Sequence, residues 1–545
     1  MPSVSQLCTS HLVKWGITHV FGIPGKPVTP LVLHLDEAGI RFVLCKHEEG
    51  AGLAASGYAM TRQSLGVAIG TAGPGGTNML TAAGQAMFSH LPVLFITGSP
   101  PICEAGKVLG QDSTMFGTDL VKMFEPVTKF SARVDRGELF QCYLEHAMEQ
   151  AFTGVRGPVH LCIPLDVLSE DIEPFELDLP LHYPQVMASN LHEVASLLSS
   201  AKQPMLLAGA GLHARHMYRE LEQFAEKWSI PVATTPGGKG VMRSDHPLSL
   251  GPLGLGGHDA AEAYLTAGVD VMVVAGSQLS DLELAGIRPE MYPSRIIHFD
   301  YQPQFIGKAI PVPTTPVIGD IQLNLQALLS MDSASSLQIA PLPEVAAALA
   351  SEKQPEPAEG PLQGQQVMQV LREELPDDAL MYGDAGSHSF YAIKYFDIRQ
   401  PGTFYFEEVY ATMGRAIGYA VGAKLADPNR TVVCLTGDGC MFMNGTEVST
   451  AVNYQAPVLF LVANNHSLDM VDKGMGRHLG RAVGTTYTVP LDSAQFGQSM
   501  GADGYRCTTS DELRSAIQQA LKSDRVSVID IRMDPHEIPP TMKRG

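Results

Sequence analysis

The chain has 545 residues, 45% of them hydrophobic and 17% charged, with a formal charge of −20. That length suggests roughly three domains of about 100–200 residues each, and the composition is that of a folded chain, not a disordered one. The acidic balance argues against nucleic acid, which needs a basic patch, and no apolar run approaches the roughly eighteen residues that span a bilayer; a small organic substrate is expected.

The N-terminal stretch MPSVSQLCTSHLVKWG has no basic segment followed by an apolar run, so a cytoplasmic protein is expected. Eight cysteines are dispersed without a C-x-x-C pair, which fits reduced thiols better than disulfides or zinc.

In chain order, residues 1–172 alternate strand-like runs (Leu65 to Gly70, Val93 to Thr97, Val159 to Ile163) with helix-length segments such as Gly50 to Thr61. Residues 190–330 repeat the pattern in "PMLLAGAGLHA", "IPVATTPGGKG", "VDVMVVAGSQLSD" and "RIIHFDYQP". Ser, Ala, Pro and Glu dominate residues 331–364, an exposed-linker composition. Residues 365–545 hold "LMYGDAGSHS", "RTVVCLTGDG", "APVLFLVANN" and "VSVIDIRM". Short apolar strands separated by helices predict an α/β fold of three doubly wound parallel-sheet domains.

In "TVVCLTGDGC" a strand ends at Gly437-Asp438-Gly439, placing a carboxylate at a strand's carboxyl end, where open α/β sheets bind ligands. The glycines let the backbone approach a ligand closely. A helix over Asn444 to Asn453 and a strand over Pro457 to Ala463 then bring Asn464-Asn465 beside Asp438. A carboxylate, a side-chain amide and a backbone carbonyl form a hard oxygen set suited to Mg²⁺ and substrate phosphate.

This bracketing resembles the thiamine-diphosphate (ThDP) motif of the acetolactate synthase-like family, which includes acetohydroxyacid synthases, benzaldehyde lyase and pyruvate oxidase. The resemblance implies Asp438, Asn465 and the Ser467 carbonyl as metal ligands, with Gly437, Gly439, Cys440 and Met470 at the diphosphate. The segment "NNHSLDMV" departs from the commoner Gly-rich endings but keeps the spacing to Met470. "GDAGSHS" resembles the diphosphate loop, with donors from Gly386, Ser387 and His388. "YATMGRAIGYAVGA" resembles the segment whose methionine props the cofactor in a bent shape, implying Met413 for the wedge and Ala411 for a carbonyl to the 4′-amino group.

"CKHEEGAGLAASGYA" resembles the family's pyrimidine-side segment and implies Glu48 as the glutamate that activates the cofactor through its ring nitrogen. "VFGIPGKPV" and "GTAGPGGTN" imply Pro24, Gly25 and Asn78 at the ring's border. Gln111 in "VLGQDS" falls where synthases and several lyases carry a substrate-orienting glutamine. The central domain reads as Rossmann-like; it admits FAD or an ADP-like ligand, which is not favoured.

No His-His pair of the pyruvate decarboxylase type is present. Pro27, beside Lys26, stands where benzaldehyde-lyase-like enzymes place a histidine. Gln278 replaces the arginine usual in acetohydroxyacid synthases, and the tryptophan after Met-Val is missing, which speaks against a branched-chain biosynthetic role. The basic stretch Lys473 to Arg481 lies just past the clamp and is either a solvated face or an attractor of anionic substrates.

The expected protein is a ThDP- and Mg²⁺-dependent lyase or carboligase acting on a 2-keto acid or aldehyde, a homodimer or homotetramer with active sites shared between chains. Alternatives are a 2-keto-acid decarboxylase, a 2-hydroxyacyl-CoA lyase and, more remotely, a non-catalytic ThDP-binding homologue.

Overall fold

A computed structural model describes residues 1–181, 186–331 and 361–543. The expected linker therefore lies, for residues 332–360, outside the described residues. The strands form three six-stranded sheets.

The first sheet contains β1 (His19–Gly22), β2 (Arg41–Leu44), β3 (Gly66–Gly70), β4 (Val93–Ser99), β5 (Phe130–Arg133) and β6 (Val159–Pro164), in the order β2-β1-β3-β4-β6-β5. The second contains β7 (Pro204–Ala208), β8 (Val232–Thr234), β9 (Ser249–Pro252), β10 (Val271–Ala275), β11 (Arg295–Asp300) and β12 (Thr314–Ile318), ordered β12-β11-β10-β7-β8-β9. Counted from its own first strand this is 3-2-1-4-5-6, the Rossmann order. The third contains β13 (Leu380–Gly383), β14 (Phe404–Tyr405), β15 (Val432–Gly437), β16 (Val458–Asn464), β17 (Asp503–Cys507) and β18 (Ser527–Arg532), ordered β14-β13-β15-β16-β18-β17. Every strand pairing is parallel. The central strands β3, β4, β6, β7, β10 and β15 are buried along their whole length, as sheets covered on both faces require.

The first and third units share one core. Helix Glu48–Arg62 crosses helix Arg415–Ala426 where small residues meet. A Cβ on Gly57 would lie 2.2 Å from the Tyr419 carbonyl oxygen, and one on Gly422 only 1.8 Å from that of Ala54. The backbones touch directly, so the glycines are required by volume, not by conformation. Gly422→Ala is expected to destabilise the protein by about 1–3 kcal/mol, the usual cost of overpacking, read as a lower thermal unfolding midpoint.

His160 on β6 is fully buried. Its ring nitrogens sit 2.8 Å from the hydroxyls of Thr97 and Ser131, and it stacks on Phe124 with ring centroids 4.0 Å apart. Burial pushes its pKa from 6.5 down to about 3. The unfolded chain therefore takes up a proton that the folded chain refuses. Stability from this site is complete above the unfolded pKa of 6.5 and is lost as pH falls below it. His160→Gln is accordingly expected to cost less stability at about pH 5 than at about pH 7.5, a difference that thermal unfolding at the two pH values measures.

Candidate functional site

In the third sheet the chain turns from β13 outward to β14 and then back to β15 on the other side. The carboxyl ends of β13 and β15 therefore flank a switch point, the place where such sheets bind ligands. A cavity of about 250 Å³ opens there, lined by Ala385 to His388, Tyr391, Met413, Gly437 to Cys440, Asn465, Ser467 to Val471 and Asp534, among others. It gathers Gly386, Ser387, His388, Met413, Gly437, Asp438, Gly439, Cys440, Asn465, Ser467 and Met470, all of them expected from the sequence.

The helix after β15 begins earlier than the sequence suggests. It spans Asp438–Asn444, and a second helix covers Glu447–Asn453. Gly437, in extended conformation, is the cap, and Asp438 occupies the first helical position, where the positive end of the helix dipole favours a carboxylate. The Gly439 amide donates to Asp438 Oδ1 at 2.9 Å, while Oδ2 is buried without a hydrogen-bond partner. Burial pushes the Asp438 carboxyl up to about 6. Of the paired asparagines, Asn464 turns away and donates to Asp530 and the Leu491 carbonyl; Asn465 lines the cavity.

His388 is buried, and burial holds its pKa at about 4, leaving the ring neutral at pH 7 with Nε2 unpartnered. A Cβ on Gly386 or Gly437 would come within 2.5 or 2.9 Å of that ring. Ser387 Oγ is likewise buried and unpartnered. The Cys440 thiol donates to the Ala385 carbonyl at 3.4 Å, and burial raises its pKa far above the ordinary value. The side chain is therefore a neutral thiol where it lines the cavity.

Buried donors and acceptors left without partners cost free energy unless a ligand engages them. The cavity lining combines anion donors with oxygen ligands, a donor set that fits a diphosphate and a hard divalent cation.

Ala411 lies outside the cavity lining, two residues from Met413. Tyr410 and Ala411 have φ of 64° and 50°, left-handed conformations that non-glycine residues adopt only when their surroundings impose them. Those surroundings come from helix Leu80–Phe88: Gln85 Oε1 accepts the Thr412 amide at 3.0 Å, and Phe88 stacks on Tyr410 at 5.3 Å.

The remaining candidates gather at the carboxyl edge of the first sheet, apart from the cavity. Glu48 opens its helix at 8% exposure, and Asn78 Nδ2 donates to its Oε2 at 2.9 Å. Thr71, following β3, donates to Gln111 Oε1 at 3.2 Å. A Cβ on Gly25 would lie 2.2 Å from the Thr71 hydroxyl. Pro24 is exposed at the same loop.

Sequence reading missed three supporting acids. Asp384 is fully buried; it accepts the amides of Ala385 and Gly414 and the Thr436 hydroxyl, each at 2.9 Å, and so ties together the diphosphate loop, the Met413 loop and β15. Glu447 Oε1 accepts the Lys46 and His47 amides at 2.9 and 3.0 Å, fixing the start of the Glu48 helix from the third domain. Asp469 lines the cavity itself. Acidic residues after strand-end turns are too common for sequence alone to single these out.

In the central unit, the Gly211 amide after β7 donates to the Gly276 carbonyl after β10 at 2.8 Å, so the two turns flanking that sheet's switch point meet through their backbones.

Comparison with known proteins agrees with this geometry. Residues 2–123, 191–328 and 384–531 match the N-terminal TPP-binding, central and C-terminal TPP-binding domains of thiamine pyrophosphate enzymes. The chain belongs to the thiamine pyrophosphate enzyme family, in its acetolactate synthase-like branch. It is 30% identical to a probable acetolactate synthase large subunit of Methanocaldococcus jannaschii, over 97% of this chain and 92% of that one. It is 32% identical to the acetolactate synthase large subunit of Corynebacterium glutamicum, over 94% and 83%. The acetolactate synthase isozyme 2 large subunit of Escherichia coli is 28% identical over 95% and 93%.

Proposed function

We propose that this enzyme is a ThDP- and Mg²⁺-dependent carboligase or lyase of the acetolactate synthase type, acting on a 2-keto acid or aldehyde. The observation that carries the reading is the cavity at the β13 and β15 switch point, with its unpartnered Asp438, Ser387 and His388 atoms. Bound there, ThDP would supply a carbanion-stabilising centre next to a substrate carbonyl.

The chain's own residues would act as follows. Asp438, Asn465 and the Ser467 carbonyl hold the ion. The Gly386 amide, the Ser387 hydroxyl and the helix start at Asp438 would receive the diphosphate, with Gly439 leaving room for its close approach. Met413 would support the cofactor, and Ala411 would offer its carbonyl to the amino group. Glu48, oriented by Asn78, would hold a proton at the pyrimidine ring nitrogen. Gln111, braced by Thr71, orients the substrate.

Glu48 and its neighbours lie apart from the cavity of their own chain, which supports a homodimer or dimer of dimers in which each site combines the first domain of one chain with the third of another. Eight free cysteines support a reducing, cytoplasmic setting.

The test is incubation with ThDP and Mg²⁺ against a panel of 2-keto acids, aldehydes and 2-hydroxyacyl-CoA esters, with products read by mass spectrometry. A coupled acyloin or acetolactate-type product is expected; aldehyde alone would overturn the carboligase reading in favour of a decarboxylase.

A further inference from the structure

Asp469 opens helix Asp469–Leu479 and lines the same cavity as Asn465 and Ser467. It is 8% exposed, and neither carboxylate oxygen makes a hydrogen bond. The side chains of Ser387 and Asn465 approach it as donors without reaching full hydrogen-bond geometry. Its nearest cation is Lys473 Nζ at 4.0 Å, which donates instead to the Pro535 carbonyl. His388, which also lines the cavity, carries no charge at neutral pH. Two buried carboxylates, Asp438 and Asp469, thus line one cavity with no hydrogen-bonded cation, an arrangement that is costly unless a positive charge binds there.

We propose that Asp469 is a further carboxylate of the divalent-cation site, acting beside Asp438, Asn465 and the Ser467 carbonyl; the inference rests on the cofactor reading above. The chemistry gives it a specific consequence. Two carboxylates, an amide oxygen and a carbonyl oxygen are four hard donors, enough to hold an ion of octahedral preference while leaving positions for water or phosphate oxygens. The protein would then bind the metal before the cofactor arrives, whereas a single carboxylate would depend on the diphosphate to complete the shell.

The experiment is titration of the full-length, cofactor-free protein with Mn²⁺ alone, followed by electron paramagnetic resonance of the free ion. One Mn²⁺ per chain is expected, with affinity falling more than about a hundredfold in Asp469→Asn, beyond the ten- to hundredfold loss of groups that only surround a metal. Asp469→Gly, the smaller replacement, should behave alike, and thermal unfolding of both variants verifies that they are folded. Unchanged or tighter Mn²⁺ binding in both variants would overturn the proposal. Asp438→Ala separates the two levels: if it abolishes binding while the Asp469 variants do not, only this inference fails; if it too leaves binding unchanged, the metal site itself is misassigned.

Discussion

Asp438→Ala is expected to eliminate ThDP-dependent turnover. Removing this carboxylate deletes the buried anion that faces the cavity and exposes the helix start to the diphosphate without a bridging ion. Residues that merely surround a metal typically cost about 10–100-fold in affinity or activity when removed, so loss of a direct ligand should exceed a hundredfold. Calorimetric titration with ThDP and Mg²⁺ would show binding weakened in parallel with activity. Because the side chain is 2% exposed and its Oδ2 has no partner within the protein, its removal breaks little internal structure. Normal cofactor binding in a folded Asp438→Ala protein would remove the basis of the metal assignment.

Glu48→Gln is the second large effect. The substitution keeps the shape and the contact with Asn78 but removes the charge that favours a proton on the ring nitrogen. General acid–base groups of this kind contribute about 10²–10⁴-fold, and a loss in kcat of that size is expected with cofactor affinity nearly unchanged. Deuterium exchange at the thiazolium C2 of bound cofactor should slow in step. Mixed dimers of Glu48→Gln and Asp438→Ala chains should regain activity, since one of their two shared sites would have both residues intact. Inactive heterodimers of verified composition would count against sites shared between chains.

The parts of the site that the sequence disclosed follow from strand periodicity. Asp438 and Asn465 are legible because adjacent parallel strands joined by a helix place their carboxyl ends side by side, and the paired register of Gly437 with Ala463 does so. The three-domain architecture was legible for the same reason. Glu48 is different: a glutamate at a helix start has an ordinary structural reading, and only resemblance singled it out. What stayed hidden depends on long-range contacts. The left-handed pair Tyr410-Ala411 is imposed by a helix more than three hundred positions away in sequence, through the Gln85 bond to Thr412. Asp384 gains its role by joining three loops that meet only in the folded chain. The early start of the helix at Asp438 escaped because a carboxylate between glycines reads equally well as a turn.

The first and third sheets have the same strand order when each is counted from its own first strand, 2-1-3-4-6-5. Such agreement over six strands makes the chain a scaffold that uses one topology twice and gives it unlike ends. At corresponding edges one copy presents a glutamate held by an asparagine, and the other presents acidic oxygens beneath a glycine turn. The two units thus differ in the loops at one rim and share the strand framework. A cofactor with an aromatic head and a phosphorylated tail would need that division of labour.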